Sequence, residues 1–230
     1  MELVTGAVPL WLMVAVALVG ALVGALLPAA VHRYSPAAEG AEPTSRVLLA
    51  AVTTALFTLM VTFFGVSWQL PAYLFLAAVA VVLTVIDLRH HLLPNAVVVP
   101  SLGIGFLLLT CAATAEGAWG ALVRAVLGAV VLFVLYLVLA LISPAGLGMG
   151  DVKLAAVLGL FLGYQGWGVL FVGALLASAL GAVAGLAVLA SRRGGLRSDV
   201  PFGPSMLAGA LVAVVWGERL VREYLRTSAF

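Results

Sequence analysis

The chain has 230 residues, of which 65% are hydrophobic and 9% charged, with a formal net charge of +2 and a mean hydropathy of +1.27. Soluble domains carry about a quarter charged residues, so a water-soluble fold is excluded and a membrane protein is implied. Nucleic-acid binding is not expected either, because the 11 Lys and Arg residues are scattered through short connectors and form no basic stripe.

A bilayer core needs roughly 20 apolar residues per helical crossing. Apolar stretches broken by Gly, Pro or charge predict spans over 8–31, 47–65, 70–86, 96–115, 119–142, 152–165, 168–190 and 203–217. These runs are continuously apolar, unlike the ~10-residue alternating segments of an outer-membrane barrel. The expected class is therefore all-α: one polytopic membrane helical bundle over residues 1–230, with about eight transmembrane helices and the sixth the shortest. The first run is too long for the apolar part of a cleavable leader and is preceded by Glu2 rather than by Lys or Arg, so it is expected to be a span. Cys111 is the single cysteine, which leaves no internal disulfide and no multi-thiolate metal site; it is expected to be a buried small apolar residue. Gly20/Gly24, Gly159/Gly163 and Gly181/Gly185 have the four-residue spacing that lets helix backbones approach.

With the N-terminus outside, the connectors 32–46, 87–95, 143–153 and 191–201 face the cytoplasm with Arg33, Arg46, Arg89, Lys153, Arg192, Arg193 and Arg197. The opposite side then receives Arg124, Arg219, Arg222 and Arg226. The excess favours this orientation. Asp87 and Asp151 share a side in either orientation, because two spans separate them.

An aspartate within a span costs roughly 2.5–3.5 kcal/mol, which makes it a candidate for function. Of the nine acids, seven fall in connectors or tails; Asp87 closes the third span and Asp151 opens the sixth after a glycine-rich turn. Two carboxylates in one site titrate apart, one serving as base toward water and the other as acid toward a carbonyl. Peptide hydrolysis by that route needs no metal, and none is expected, since the adjacent His90 and His91 are poorly placed to converge on one ion. Each aspartate also has a plain structural role open to it. Asp151 can cap a helix after Gly146, Gly148 and Gly150, and Asp87 can pair with Arg89 in an interfacial loop before a helix begun by Pro94 and Asn95.

Three segments together carry a resemblance. Ile86-Asp87 is followed by Leu93-Pro94-Asn95; Gly148-Met-Gly150-Asp151-Val-Lys153-Leu154 comes next, and then Pro201-Phe202-Gly203-Pro204. In order and spacing, over about 70–220, they resemble the motifs of the type IV prepilin peptidases, membrane aspartic proteases with a Gly-x-Gly-Asp signature. The resemblance implies a catalytic dyad of Asp87 and Asp151. It implies supporting or substrate-positioning roles for Gly148, Gly150, Lys153, Pro94, Asn95, Pro201, Phe202, Gly203 and Pro204. The implied substrates are type IV prepilins or pilin-like preproteins of the Flp, competence or type II secretion kind. Cleavage is implied at the cytoplasmic face of the bacterial cytoplasmic membrane, with the lipid bilayer as the other partner and no cofactor for proteolysis. Larger members of that family carry a Cys-x-x-Cys zinc domain between the first two spans and N-methylate the processed pilin. The connector 32–46 has no cysteine. The chain thus resembles a short form, with no zinc expected there and S-adenosylmethionine needed only if methylation is retained.

Lys153 has two roles open to it, snorkelling to lipid headgroups or biasing a carboxylate and orienting substrate. Pro201–Pro204 is either a simple helix start or exposed backbone beside the site. A proton- or cation-coupled transporter would use the same two aspartates, but it predicts acids near the midplane and repeated halves, and neither is visible in the sequence. A purely structural scaffold predicts that Asp→Asn changes at both positions are silent.

Overall fold

A computed structural model of the chain describes residues 8–34, 45–142, 147–190 and 201–227. Among these residues there are eight α-helices and no strand: α1 (Leu10–Tyr34), α2 (Arg46–Phe64), α3 (Leu70–His90), α4 (Asn95–Glu116), α5 (Trp119–Ile142), α6 (Met149–Gln165), α7 (Trp167–Ala190) and α8 (Gly203–Thr227). Seven are long and apolar enough to cross a membrane, while α6, with 17 residues, is shorter. The chain is an all-α, multi-pass membrane protein. Gly146, Arg192, Arg193 and Arg197, with residues 35–44 of the cysteine-free connector, lie outside the described residues.

Every expected span corresponds to a helix, and the differences lie at the ends. Helix α3 continues past residue 86 to His90, α6 starts at Met149 instead of 152, and α8 runs on to Thr227. Hydropathy stops at the first charge, but backbone pairing does not. Arg219, Arg222 and Arg226 consequently stand on a helix, with Arg226 paired to Glu223 at 3.3 Å.

Contacts group the chain into two compact units, one up to Ile86 and the other from Asp87 onward. In the first, α1 packs on α2 through its glycines. A Cβ at Gly24 would stand 2.6 Å from Ala50 Cα and one at Gly20 3.0 Å from Thr54 Cα, so only hydrogen fits. In lipid, which is as apolar as the helices themselves, such close backbone contact supplies the attraction that water supplies in soluble proteins. Helix α2 stops at Gly65, whose φ of 59° suits glycine, and Phe64 then stacks on Tyr73 with ring centroids 4.2 Å apart.

In the second unit α6 is central, touching α4, α5, α7 and α8, and each of its residues from Leu154 to Tyr164 is buried. Gly159 and Gly163 meet α5 at Gly128, where a Cβ would come 2.6 Å from the Gly159 carbonyl oxygen. Arg124 of α5 closes the far end of α6. Its Nε donates to Gly163 O at 2.7 Å and its Nη2 to Tyr164 O at 2.6 Å, satisfying carbonyls that a helix terminus leaves unpaired. Arg124, which lies inside the expected span 119–142 and counts among the charges of the side opposite the cytoplasm, thus caps α6 from within α5.

Two packing expectations need correction. Gly181 receives the ring of Phe202 rather than a neighbouring helix, and Gly185 has no atom within 4 Å of where a Cβ would stand. Cys111 is exposed on α4, not buried. The inference from apolar to buried assumes water outside, and a small apolar side chain loses nothing by facing lipid.

Candidate active site

Asp87 lies in the last turn of α3 and is buried, at 5% exposure. It is helical rather than part of an interfacial loop, because its carbonyl accepts from His91 N–H at 2.8 Å. His91, at φ 50°, adopts the left-handed conformation that ends helices. The chain turns through Leu92 and Leu93 to Pro94, the N-cap of α4, and Asn95 is that helix's first residue. Pro94 cannot donate an N–H, and at this position none is needed.

The start of α8 points at Asp87. Gly203 N–H donates to Asp87 Oδ2 at 3.1 Å, and a Cβ on residue 203 would stand 2.6 Å from that oxygen. An amide at a helix N-terminus carries partial positive charge and suits a carboxylate. Phe202 O accepts from Met206 N–H at 3.1 Å, and Pro204 sits in the first turn, where a missing N–H costs nothing. Pro201–Pro204 is accordingly a helix start and a neighbour of Asp87 at once.

Asp151 is the third residue of α6, not its N-cap, which is Gly148. Its Oδ2 accepts from Gly148 N–H at 3.1 Å, the back-reaching half of a capping box. Asp151 precedes the apolar run 152–165 and lies outside the seven spanning helices. Burial pushes its carboxyl up to about 6; the Gly148 N–H opposes this rise and the charge of Asp87 adds to it. The two acids are therefore close enough to feel each other, and each has Oδ2 held by a backbone amide. Such a pair cannot ionise twice without mutual cost.

One side chain touches the neighbours of both. A Cβ on Gly150 would lie 2.8 Å from Leu93 Cβ, and a Cβ on Gly203 would lie 3.5 Å from Leu93 Cδ1. Leu93 thus rests both on the residue before Asp151 and on the residue that donates to Asp87. Lys153 Nζ donates to Asn95 Oδ1 at 2.7 Å, which ties α6 to the start of α4. The Phe202 ring sits against Gly181 of α7, 6.2 Å from the ring of Tyr136 on α5.

Tyr136 escaped sequence reasoning. It is 3% exposed, shares a hydrogen bond with Ser178 and lies within the field of Asp151. The available signal was a hydroxyl in the middle of an apolar run, which needs a partner when buried. Leu93 appeared in the sequence only as one position of a pattern.

Residues 74–186 match the type IV leader peptidase family. The chain is similar to the prepilin leader peptidase/N-methyltransferase of Stutzerimonas stutzeri, with 35% identity over 71% of this chain and 55% of the relative. Its counterpart in Pseudomonas aeruginosa is 33% identical over 80% of this chain and 63% of the relative. For the one in Bacillus subtilis the figures are 32%, 76% and 67%. The chain thus spans between 55% and 67% of the length of these relatives. No solved structure matches it. The matched segment includes both aspartates and ends before Pro201. By its likeness to these relatives, the chain belongs to the type IV leader peptidase family.

Proposed function

We propose that the chain is a membrane aspartic endopeptidase that removes the basic leader from type IV prepilins or pilin-like preproteins, including Flp, competence and type II secretion subunits. One observation carries this reading. Two carboxylates 64 positions apart are joined through one side chain, Leu93, which rests on Gly150 beside Asp151 and on Gly203, whose amide holds Asp87, in a chain of the leader peptidase family. The substrate class comes from the relatives, whose name is prepilin leader peptidase.

In the proposed reaction a water lies between Asp87 and Asp151. The ionised carboxylate takes its proton as the oxygen attacks the scissile carbonyl, and the protonated carboxyl donates to the carbonyl oxygen. Collapse of the tetrahedral intermediate then passes a proton to the departing amine. The pair titrates as one unit, so acid and base are assigned to the dyad and not to either member. With Oδ2 of each held by Gly203 and Gly148, Oδ1 of each is assigned to water and substrate. Pro94, Pro201, Phe202 and Pro204 are assigned to shaping the path of an extended peptide past the dyad, and Gly148 and Gly150 to a close approach.

A prepilin has a basic leader in the cytoplasm and an apolar helix in the bilayer, so its scissile bond sits near the membrane surface. Helix ends that carry the dyad suit that level. The orientation with Arg89 on the cytoplasmic side of the cytoplasmic membrane follows from the charge excess. Methyl transfer, named in the relatives, is tested by weighing products made with and without S-adenosylmethionine.

Purified protein in liposomes, given a prepilin, is expected to cleave it, and Asp87→Asn or Asp151→Asn to lose ~10²–10⁴-fold in rate. A folded variant of either kind that cleaves at the wild-type rate refutes the dyad. Aspartate-dependent proton or cation flux without cleavage would establish the transporter instead.

A further inference from the structure

The peptide between α3 and α4 does more than connect two helices. Gly150 and Lys153 are three residues apart on α6, hence on one face of its first turn. Both meet the same short segment: Gly150 lies against Leu93, and Lys153 Nζ donates to Asn95 Oδ1 at 2.7 Å. A charged donor at that distance makes a stronger tie than a neutral pair. Asp151, next to Gly150, is turned about 100° from it around the helix. On its other flank Leu93 reaches Gly203, whose amide holds Asp87.

We propose that Leu93 and the Asn95–Lys153 hydrogen bond form a clamp that sets the separation between the Asp87 and Asp151 carboxylates. Leu93 is the spacer and Asn95–Lys153 is the tie that keeps α6 pressed on it. The inference rests on the peptidase reading for its kinetic consequences but not for its geometry. Lys153, two residues from Asp151, projects from a different side of α6, so it acts through the helix as a positioning residue. Its use differs from the roles open to it in the sequence, headgroup snorkelling on one hand and biasing a carboxylate or orienting substrate on the other. Catalysis is sensitive to such a spacing, since about 1 Å of misplacement can cost ~100-fold in rate.

The geometric test needs no activity. In a Cys111→Ala background, spin labels at Leu88 and Met149, both exposed, report the distance between the end of α3 and the start of α6. Asn95→Ala and Lys153→Met are each expected to broaden and lengthen that distance distribution. Asn95→Asp keeps an acceptor for Lys153 and is expected to restore the wild-type distribution. A distribution unchanged in both Asn95→Ala and Lys153→Met overturns the clamp.

The kinetic test is a double-mutant cycle on prepilin cleavage. Each single change is expected to lower kcat by ~10-fold with KM little altered. The double variant should be no worse than the poorer single, because both remove one shared bond. Losses that multiply, or a rise in KM alone, overturn the proposal. If Asp87→Asn and Asp151→Asn leave cleavage untouched, the peptidase reading has failed, and the spin-label distances still decide the clamp.

Discussion

Replacing Gly203 by alanine asks how firmly α8 holds Asp87. The amide of residue 203 donates to Asp87 Oδ2 over 3.1 Å, and an added methyl would stand 2.6 Å from the same oxygen and 3.2 Å from Cγ. Non-bonded heavy atoms settle near ~3.5 Å, so the carboxylate or the helix start has to retreat by roughly 1 Å. That movement stretches the hydrogen bond beyond its useful range of about 3.2 Å. The lost bond is worth ~1–3 kcal/mol, equivalent to roughly a 10- to 100-fold fall in kcat if Asp87 must stay in place for the chemistry. The assay is cleavage of a prepilin by purified protein, followed by product mass across acid and neutral pH. Gly185→Ala is the matched control, because no atom lies within 4 Å of its Cβ position and cleavage should be unchanged. If a folded Gly203→Ala cleaves at the control rate with the same pH profile, α8 does not hold Asp87 and the reasoning is refuted.

Two further outcomes concern stability. The Asp151 carboxyl is raised from 3.8 to about 6, so between those values the folded chain retains a proton that the unfolded chain has released. Stability therefore falls as pH rises through that window, and the deficit persists above it. Asp151→Asn is expected to raise Tm by a few degrees at about pH 8 and to leave it unchanged below about pH 4; an unchanged or lower Tm at the higher pH counts against a buried, destabilised carboxylate. Arg124→Ala removes two short hydrogen bonds from the end of α6 and is expected to cost roughly 2 kcal/mol or more. Arg124→Lys should recover only part, since one ammonium lacks the planar fork, and equal stability of all three proteins in chemical unfolding would dismiss the cap.

The spans were legible because lipid demands uninterrupted apolar runs, and α5 begins and ends where composition placed it, at 119 and 142. Helix ends were not, since charged residues remain helical when their backbone groups are paired. That is why Asp87 belongs to α3 rather than to a loop and why α8 extends to Thr227. Counting two spans between the aspartates was enough to put them on one side. Their convergence through Leu93 was beyond reach, because spacing along a chain does not say which helix ends adjoin. Arg124 shows the same limit: charge counting sees a cation, while its partners are two carbonyls 39 and 40 residues away. Lys153 was legible as a motif position, and its partner Asn95 as another, but not the bond that joins them.

The length of α6 has a consequence for water. At 1.5 Å per residue its 17 residues reach about 25 Å, less than the ~30 Å hydrocarbon layer. A segment that falls short makes the bilayer thin around it or draws solvent inward. Non-helical backbone such as that at Gly148, just before α6, is tolerated beside lipid only where protein or water covers it. On the proposed peptidase reading, a bilayer thinned around α6 would bring water toward Asp151 and let cleavage take place at the border of the oily layer, with the substrate helix left in lipid.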